Sequence, residues 1–560
     1  MRDVKETEDR RRTVASVGGT DMFGRSFRAA GKRREGRYCG VFFFLSLGNH
    51  EDHTGIYNIS EITRGEADCA SFFSDSEKSP VGAAHFWGRP VWGYYRSADP
   101  WVLTREVELL TLAGVDFLAL DVSNMVIYEE TVDTLLEVLL FFQNQGWDVP
   151  RVWFYCNQQD PAQMDDKEEI KRIYLRWYTR KRYRDLWFAP EGKPLVTKGW
   201  NTVWDTEDPL EREILETFQF RLRQWPTEDF NEEGIPWIEF FYPQRAHDGW
   251  MNVSAAEHAV TIAFSDLAAN WGRGYDFKTG KNETARFREG INFAQQWDTV
   301  FASGDEVWYV FITGWNEWVA QKMIYRGRIQ TVDQFNEEYS RDIEPEDGVL
   351  EDSFYLQMAG MIRKWKYEPG DYLQIPFAEI NGNSEDPDWG KALSFLDFTG
   401  DTARRDFLCF DGSFRYTDGS GRNDIAALRV LRDRENLLVR IETVNLVTER
   451  TEDETCWMNL FLLREGERMP VCVIGRSGTG GRCSVEIVTV GDRIATGFAG
   501  YRVRENAVEI SVPLKNLPFR EGDAFLMKAA DNLSDPENWM EFYTKGDSAP
   551  IGSLGYCVRL

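Results

Sequence analysis

The residue best placed for chemistry is Glu317, in the string Thr313-Gly314-Trp315-Asn316-Glu317-Trp318 that follows the apolar run Val307–Ile312. A carboxyl set between indoles at the end of a buried strand is partly desolvated. That disfavours its charged form and raises its pKa towards acid or base duty; a structural carboxylate bonded to backbone at a loop start would show the same pattern. Asp121 is the second such group. The run Asp116-Phe117-Leu118-Ala119-Leu120-Asp121 delivers an acid out of a buried strand, where a charge needs a purpose, either catalysis or an ion pair at the rim. Downstream, Arg341-Asp342-Ile343-Glu344-Pro345 puts two more carboxylates beside an arginine. Asp342 and Glu344 could be catalytic, could orient Glu317, or could cap a helix near Leu350. Two carboxyls facing each other across the scissile bond, roughly 5 to 9.5 Å apart, are what glycosidic hydrolysis uses.

Other residues at the ends of β-rich runs are mostly amides and aromatics. Asn49 and His50 follow the first run, Ser123 and Asn124 the second, Asn157 and Gln158 the third, and Trp200 and Asn201 the fourth. Tyr242, Gln244 and Arg245 follow the fifth, Trp271 and Arg273 belong to a later segment, and Trp315, Asn316 and Trp318 surround Glu317. Amides both donate and accept toward hydroxyls, and flat rings cover the apolar faces of a sugar, so these positions are expected to bind substrate. His50 and His85 read as hydroxyl partners or, alternatively, as rim structure. The five histidines and eight cysteines show no zinc-type spacing and no CxxC pair, so no cofactor is expected to be required.

The elements that must position these residues follow from the pattern of the first 366 residues. Strands are expected at Cys39–Leu47, Val115–Val122, Arg151–Cys156, Pro194–Lys198, Trp237–Tyr242, Val260–Phe264 and Val307–Thr313, several of them apolar on consecutive residues as in a parallel sheet buried on both faces. Helices are expected at Trp101–Ala113, Glu129–Gln145, Lys167–Arg182, Pro209–Arg223 and Thr284–Ala302, the first opened by Asp99-Pro100 and closed by Gly114. This alternation predicts an α/β fold, a (β/α)8 TIM-type barrel over residues 37–370, with its active site at the C-terminal ends of the strands. From 371 to 560 the texture changes to short β-rich runs (Ala427–Leu431, Leu437–Thr443, Trp457–Leu463, Val471–Ile474, Ser484–Val490, Ala507–Val512, Ala524–Ala529, Trp539–Tyr543) between turn residues, which predicts an all-β sandwich.

Residues 1–36 are charged and polar and read as a disordered or loosely attached arm. No apolar segment follows the charged start as a secretory signal requires, and no run is long enough to cross a membrane, so a cytoplasmic protein without membrane partners is expected. The net charge of −27 argues against a nucleic-acid partner. With 21 tryptophans and 21 tyrosines the chain is rich in rings suited to stacking on sugars. Nothing in the sequence sets an oligomeric state.

The string Thr313-Gly314-Trp315-Asn316-Glu317-Trp318 with Ile343-Glu344-Pro345 resembles the family 71 and family 99 glycoside hydrolases, whose Asn-Glu-Trp signature follows a late barrel strand; Gly93-Tyr94-Tyr95 and Gly114-Val115-Asp116-Phe117 match the broader group. The resemblance implies a carbohydrate-active barrel, with Tyr94 among its substrate-binding residues. One position departs from it. The family 99 acid lies three residues beyond the first glutamate, and here that position is Ala320, so the second carboxyl must come from elsewhere, with Asp121, Asp342 and Glu344 as candidates. The C-terminal part, through Gly421-Arg422-Asn423-Asp424, Trp457-Met458-Asn459-Leu460-Phe461 and Asp531-Asn532, resembles a family 9-like carbohydrate-binding or DOMON-like domain. That resemblance implies a sandwich that binds sugar or braces the barrel, and admits a structural calcium. The expected function is hydrolysis of a glycosidic bond in an oligosaccharide or polysaccharide. A glycosyltransferase or phosphorylase on the same barrel, or a non-catalytic sugar-binding protein, are the alternatives.

Overall fold

The computed structural model describes residues 4–157, 166–258, 270–378, 386–451, 454–489, 492–535 and 537–560. Eight parallel strands form the barrel: β1 (Tyr38–Phe43), β2 (Phe117–Asp121), β3 (Arg151–Tyr155), β4 (Leu195–Lys198), β5 (Gln219–Gln224), β6 (Gly234–Pro236), β7 (Trp250–Ser254) and β8 (Tyr309–Thr313). Their order around the sheet is β6-β5-β4-β3-β2-β1-β8-β7. The barrel is nearly closed: β6 and β7 do not pair as strands, and side chains bridge the seam. Asn252 Nδ2 donates to the carbonyls of Trp237 and Phe311 at 2.9 Å each, and Thr313 Oγ1 donates to the Trp237 carbonyl.

Alternate residues of each strand point inward. The interior is filled by rings, among them Phe42, Phe44, Phe117, Trp153, Tyr155, Trp250 and Phe311. The other register (Val41, Phe43, Leu118, Leu120, Val152, Phe154, Val310, Ile312) packs outward on the helices. Gly40 is required by a close approach: a Cβ there would lie 2.1 Å from the Phe117 ring. The helix between β1 and β2, Pro100–Ala113, starts where Asp99 accepts the Trp101 N–H and ends at Gly114 in the left-handed conformation (φ 84°).

Several elements differ from the sequence expectation. The helix expected over Pro209–Arg223 stops at Thr217, and Gln219–Gln224 is instead β5. The strand expected at Trp237–Tyr242 lies earlier, at Gly234–Pro236, and β7 at Trp250–Ser254 was not anticipated. Val260–Phe264 falls outside the described residues. The N-terminal arm is not loose where it is described: Val17–Thr20 is a buried strand, antiparallel to Leu554–Arg559 at the far end of the chain. Ahead of it, Thr13 accepts the Leu396 N–H at 3.0 Å.

The C-terminal part is built of antiparallel strands, with Ile425–Arg432, Asn436–Thr443, Ala507–Pro513 and Asp492–Arg504 adjacent in one run and Arg482–Thr489, Cys472–Thr479, Asn459–Leu463, Ala524–Asp531 and Leu554–Arg559 in the next. Where a last strand was expected, Glu541–Thr544 is a short helix. All eight cysteines are free. Among the described residues no helix is long and apolar enough to cross a membrane.

Candidate active site

The carboxyl of Glu317 stands at the C-terminal end of β8, partly open to solvent (side chain 15% exposed). Its backbone N–H donates to Asp342 Oδ1 at 2.8 Å, and Gln334 Nε2 donates to its Oε2 at 3.0 Å while also donating to Asp342 Oδ2. Glu317 Oε1 is the oxygen left over. Arg341 Nε lies 3.9 Å from Oε2, its guanidinium stacked over the Trp237 ring at 4.9 Å and paired with Asp333 at 2.7 Å. Gly314 makes this closeness possible, because any side chain there would meet Asp342 at 2.6 Å. Burial pushes the Glu317 carboxyl well above the ordinary range; Asp333, Asp342 and Asp121 add to the push and Arg341 opposes it.

Asp121 ends β2 in the inward register of Phe117 and Ala119, so its carboxyl faces the barrel mouth. It accepts the Ser123 N–H at 2.9 Å, and burial raises its pKa to about 6. Asp342 is buried and bonded to the Glu317 backbone and Gln334, with burial raising its pKa to about 7; it aims Glu317. Glu344 is not at the mouth. It lies in the packing, 2% exposed, accepting Tyr95 Oη at 2.8 Å and Trp318 Nε1 beside the buried Glu106, and burial raises its pKa to about 8.

The indoles flanking Glu317 in sequence do not bracket its carboxyl. Trp315 and Trp318 are fully buried. Trp315 Nε1 donates to Glu106 at 3.2 Å, and Trp318 stacks on Trp87 at 4.2 Å. Asn316 is a clamp between strands: its amide accepts the Phe44 N–H at 2.8 Å and donates to the Phe44 carbonyl at 3.2 Å. None of the three presents a surface to a ligand.

Four more expected binding residues are also buried. His85 is bonded to Ser79 and the Ala83 carbonyl at 3.0 Å each, and burial lowers its pKa to about 4. It sits in a three-stranded patch opposite Ala320. Gln244 bonds to Asn252 O and Gln296, and Arg273 bonds to the Glu337 and Asp342 carbonyls at 2.8 and 2.6 Å, a strut under the 337–342 loop. Asn157, 2% exposed, continues the inward register of Trp153 and Tyr155 into the upper barrel.

The rest lie at or near the surface. Asn49 and Asn124 are exposed, and His50 bonds to Tyr128 Oη at 2.6 Å beside Asn124. Trp200 is 73% exposed on a loop after β4 whose Gly199 N–H and Thr202 hydroxyl are held by buried Asp166. Tyr242 stacks on Phe277 at 3.7 Å and Trp271 on Tyr275 at 5.5 Å, each half-buried. Tyr94 is tied up in packing: its backbone N–H donates to Tyr416 Oη of the C-terminal part at 2.7 Å, while its hydroxyl accepts from Asn58 Nδ2 at 3.1 Å and its ring packs on Phe86 at 4.7 Å.

Sequence reasoning missed three members of this neighbourhood. Gln334, which bridges Glu317 and Asp342, and Asp333, which pairs with Arg341, lie in a loop without a recognisable pattern. Glu257, 4% exposed and raised by burial and by Glu239, follows β7, the unanticipated strand. Among the described residues the His, Cys, Asp and Glu side chains with metal-ligand spacing are Asp401, Asp424 and Asp547, which lie in the C-terminal part and not at the mouth.

Fold and site thus define an eight-stranded parallel barrel with carboxyls at its C-terminal mouth and a β-rich part behind it. No protein-family model matches the chain. No curated protein matches it either. Among solved structures it is similar to a GH99 endo-alpha-mannosidase from Bacteroides thetaiotaomicron in complex with BIS-TRIS-propane, at 13% identity over 59% of this chain and 97% of that one, with a TM-score of 0.31. A family 9 carbohydrate-binding module from Caldicellulosiruptor kristjanssonii in complex with cellotriose matches at 10% identity over 33% of this chain and 83% of its own (TM-score 0.17). A family 5 glycoside hydrolase from Bacteroides vulgatus matches at 10% identity over 83% and 97% (TM-score 0.21).

Proposed function

We propose that the chain is a glycoside hydrolase working at the C-terminal mouth of the barrel, with Glu317 as the proton-holding carboxyl and Asp121 as its ionised partner. The observation that carries this reading is the contrast between the two groups. Burial among like charges holds the Glu317 carboxyl well above the ordinary range and so favours its protonated form, whereas Asp121, at about 6, is mostly ionised at neutral pH. Glu317 protonates the leaving oxygen, and Asp121 either draws a proton from water or attacks the sugar itself. Gln334 and Asp342 hold the acid in place, and the rings of Trp200, Tyr242 and Trp271 offer faces on which an oligosaccharide lies.

The test is a reducing-end and mass-spectrometric screen of the full-length protein against a broad oligosaccharide panel, with Glu317→Gln in parallel. Cleavage that falls at least a hundredfold in the variant is expected, and the anomeric form of the product then assigns the role of Asp121. The kcat/KM profile should rise through about pH 6 as Asp121 ionises and fall again at higher pH as Glu317, its carboxyl held well above the ordinary range, loses its proton. Binding without turnover on every substrate would mean a sugar-binding protein instead, and cleavage indifferent to the variant would place the active site elsewhere.

A further inference from the structure

At the end of the barrel away from Glu317, where Tyr38 begins β1, Asp116 precedes β2 and Arg151 begins β3, lies a cavity of about 530 Å³. All strands of a parallel barrel start at this face, so the cavity is separate from the mouth at which Asp121 and Glu317 stand. One wall carries Arg10 and Arg11 of the helix Val4–Ser16; others carry Arg33 and Lys366, the last residue of the helix Ser353–Lys366. The volume is that of a small-molecule site.

The charges on these walls do not balance. The carboxylates among the described lining residues are Asp116 and Asp148. Asp116 Oδ2 pairs with Lys366 Nζ at 2.6 Å and accepts the Cys39 N–H at 2.8 Å. Lys366 also donates to the Gly114 carbonyl at 2.6 Å, so it closes the end of the helix Pro100–Ala113 and neutralises Asp116 in one place. The Arg33 guanidinium, 2.8 Å from Asp116 Oδ1, is then a cation in excess. Asp148 repeats the arrangement. Arg151 lies 3.2 Å from its Oδ1 and is tied to the Val149 carbonyl, while Arg11, 3.6 Å from its Oδ2, is the second cation on one carboxylate. Four cations thus share two carboxylates, in a chain whose net charge is −27. Fold accounts for Lys366 and Arg151, which hold backbone carbonyls. The side chains of Arg33 and Arg11 are 44% and 65% exposed, and their excess charge faces the cavity.

We propose that this cavity binds a small molecule through a phosphate dianion, held by Arg33 and Arg11 with Arg10 beside them. The two excess positive charges match the two negative charges of a phosphate monoester, and a planar guanidinium fork meets its oxygens in pairs. A single carboxylate would offset only one of the two. Tyr38 and Tyr367, both half-buried in the wall, offer apolar surface to the rest of such a molecule. The site is independent of the reaction proposed at the mouth.

The test is calorimetric titration of the full-length protein, in a chloride buffer, with glucose 6-phosphate, inorganic phosphate and glucose, alongside Arg33→Gln and Arg11→Gln. One saturable site per chain for the phosphates, none for glucose, at least tenfold weaker binding in each variant, and weakening with added sodium chloride are expected. Equal affinity for the ester and for inorganic phosphate would support the dianion site and make free phosphate its ligand; tighter binding of the ester would support it and make the ligand a phosphorylated metabolite. Failure of both phosphates to bind at millimolar concentration would mean that the arginines are solvated surface charges and overturn the proposal. Binding that both variants retain in full, or that glucose matches, would overturn it as well. Should a variant fail to fold, the comparison of phosphate with glucose on the wild type still decides.

Discussion

Replacing Asp121 by Asn should stabilise the protein while abolishing its activity, and the gain should appear only above a definable pH. In the folded protein burial holds the Asp121 carboxyl at about 6 rather than the ordinary 3.8. Keeping it ionised at neutral pH therefore costs ~3 kcal/mol, trimmed to about 2 by its partial exposure to solvent. Because the folded pKa is raised, the folded state binds the proton more tightly than the unfolded chain. Below pH 3.8 both states are protonated and no cost arises; between 3.8 and about 6 the wild type loses stability as pH rises; above about 6 the loss is complete. Asparagine carries no charge and its Oδ1 can still accept the Ser123 N–H that Asp121 accepts at 2.9 Å. Thermal unfolding of wild type and variant at pH 4 and pH 7.5 should thus show near-coincident Tm values in acid and a variant Tm about 2–4 °C higher at pH 7.5. Turnover at pH 7.5 should be lost in parallel, as expected where stability is given up for a functional charge. A variant less stable than wild type at both pH values would refute the reasoning, since it would mean that Asp121 is a favourable structural anion and not a destabilised functional one.

Two further outcomes follow from the surroundings of the site. Asn316→Ala strands the N–H and carbonyl of Phe44, at 2.8 and 3.2 Å from the amide, inside the barrel wall; a loss of about 2–5 kcal/mol in urea unfolding is expected, together with loss of activity. Trp200→Ala, by contrast, touches a ring that is 73% exposed, so unfolding should shift by less than about 0.5 kcal/mol while KM for longer oligosaccharides rises several-fold; an unchanged KM across chain lengths would remove Trp200 from the binding surface.

Much of the barrel was legible because its central strands are buried on both faces. Runs such as Phe117-Leu118-Ala119-Leu120 and Tyr309-Val310-Phe311-Ile312 admit few other readings once turn residues bound them. The strands at the seam carry no such signal. β5 (Gln-Phe-Arg-Leu-Arg-Gln) alternates Phe and Leu with residues that favour helices, and it directly follows one, so helix propensity masked the two-residue period. β6 is three residues long and ends in proline. The N-terminal strand Val-Gly-Gly-Thr has almost no hydrophobic signature, and its partner, Leu554–Arg559, is the other end of the chain, so only the folded structure brings them into register.

The site shows a similar division. Glu317 and Asp121 could be found because a carboxyl at the end of a buried strand is conspicuous. The indoles around Glu317 were misjudged because an indole is equally suited to cover a sugar or to fill a core while its N–H finds an acceptor. What decides between the two is the partner of that N–H, and the partners are Glu106, from the first barrel helix, and Glu344, from the loop after β8. No short-range rule pairs such residues. Within the six-residue string, Thr313 bonds across the β6–β7 seam, Gly314 makes room for Asp342, Asn316 ties the loop to β1, and Trp315 and Trp318 anchor it on buried carboxyls. Five residues are buried, and the sixth alone keeps a side chain open to solvent. The physical content of the string is therefore the aiming of one carboxyl, which is why substitutions at its buried members should reach activity through the position of Glu317 without any of them touching a substrate.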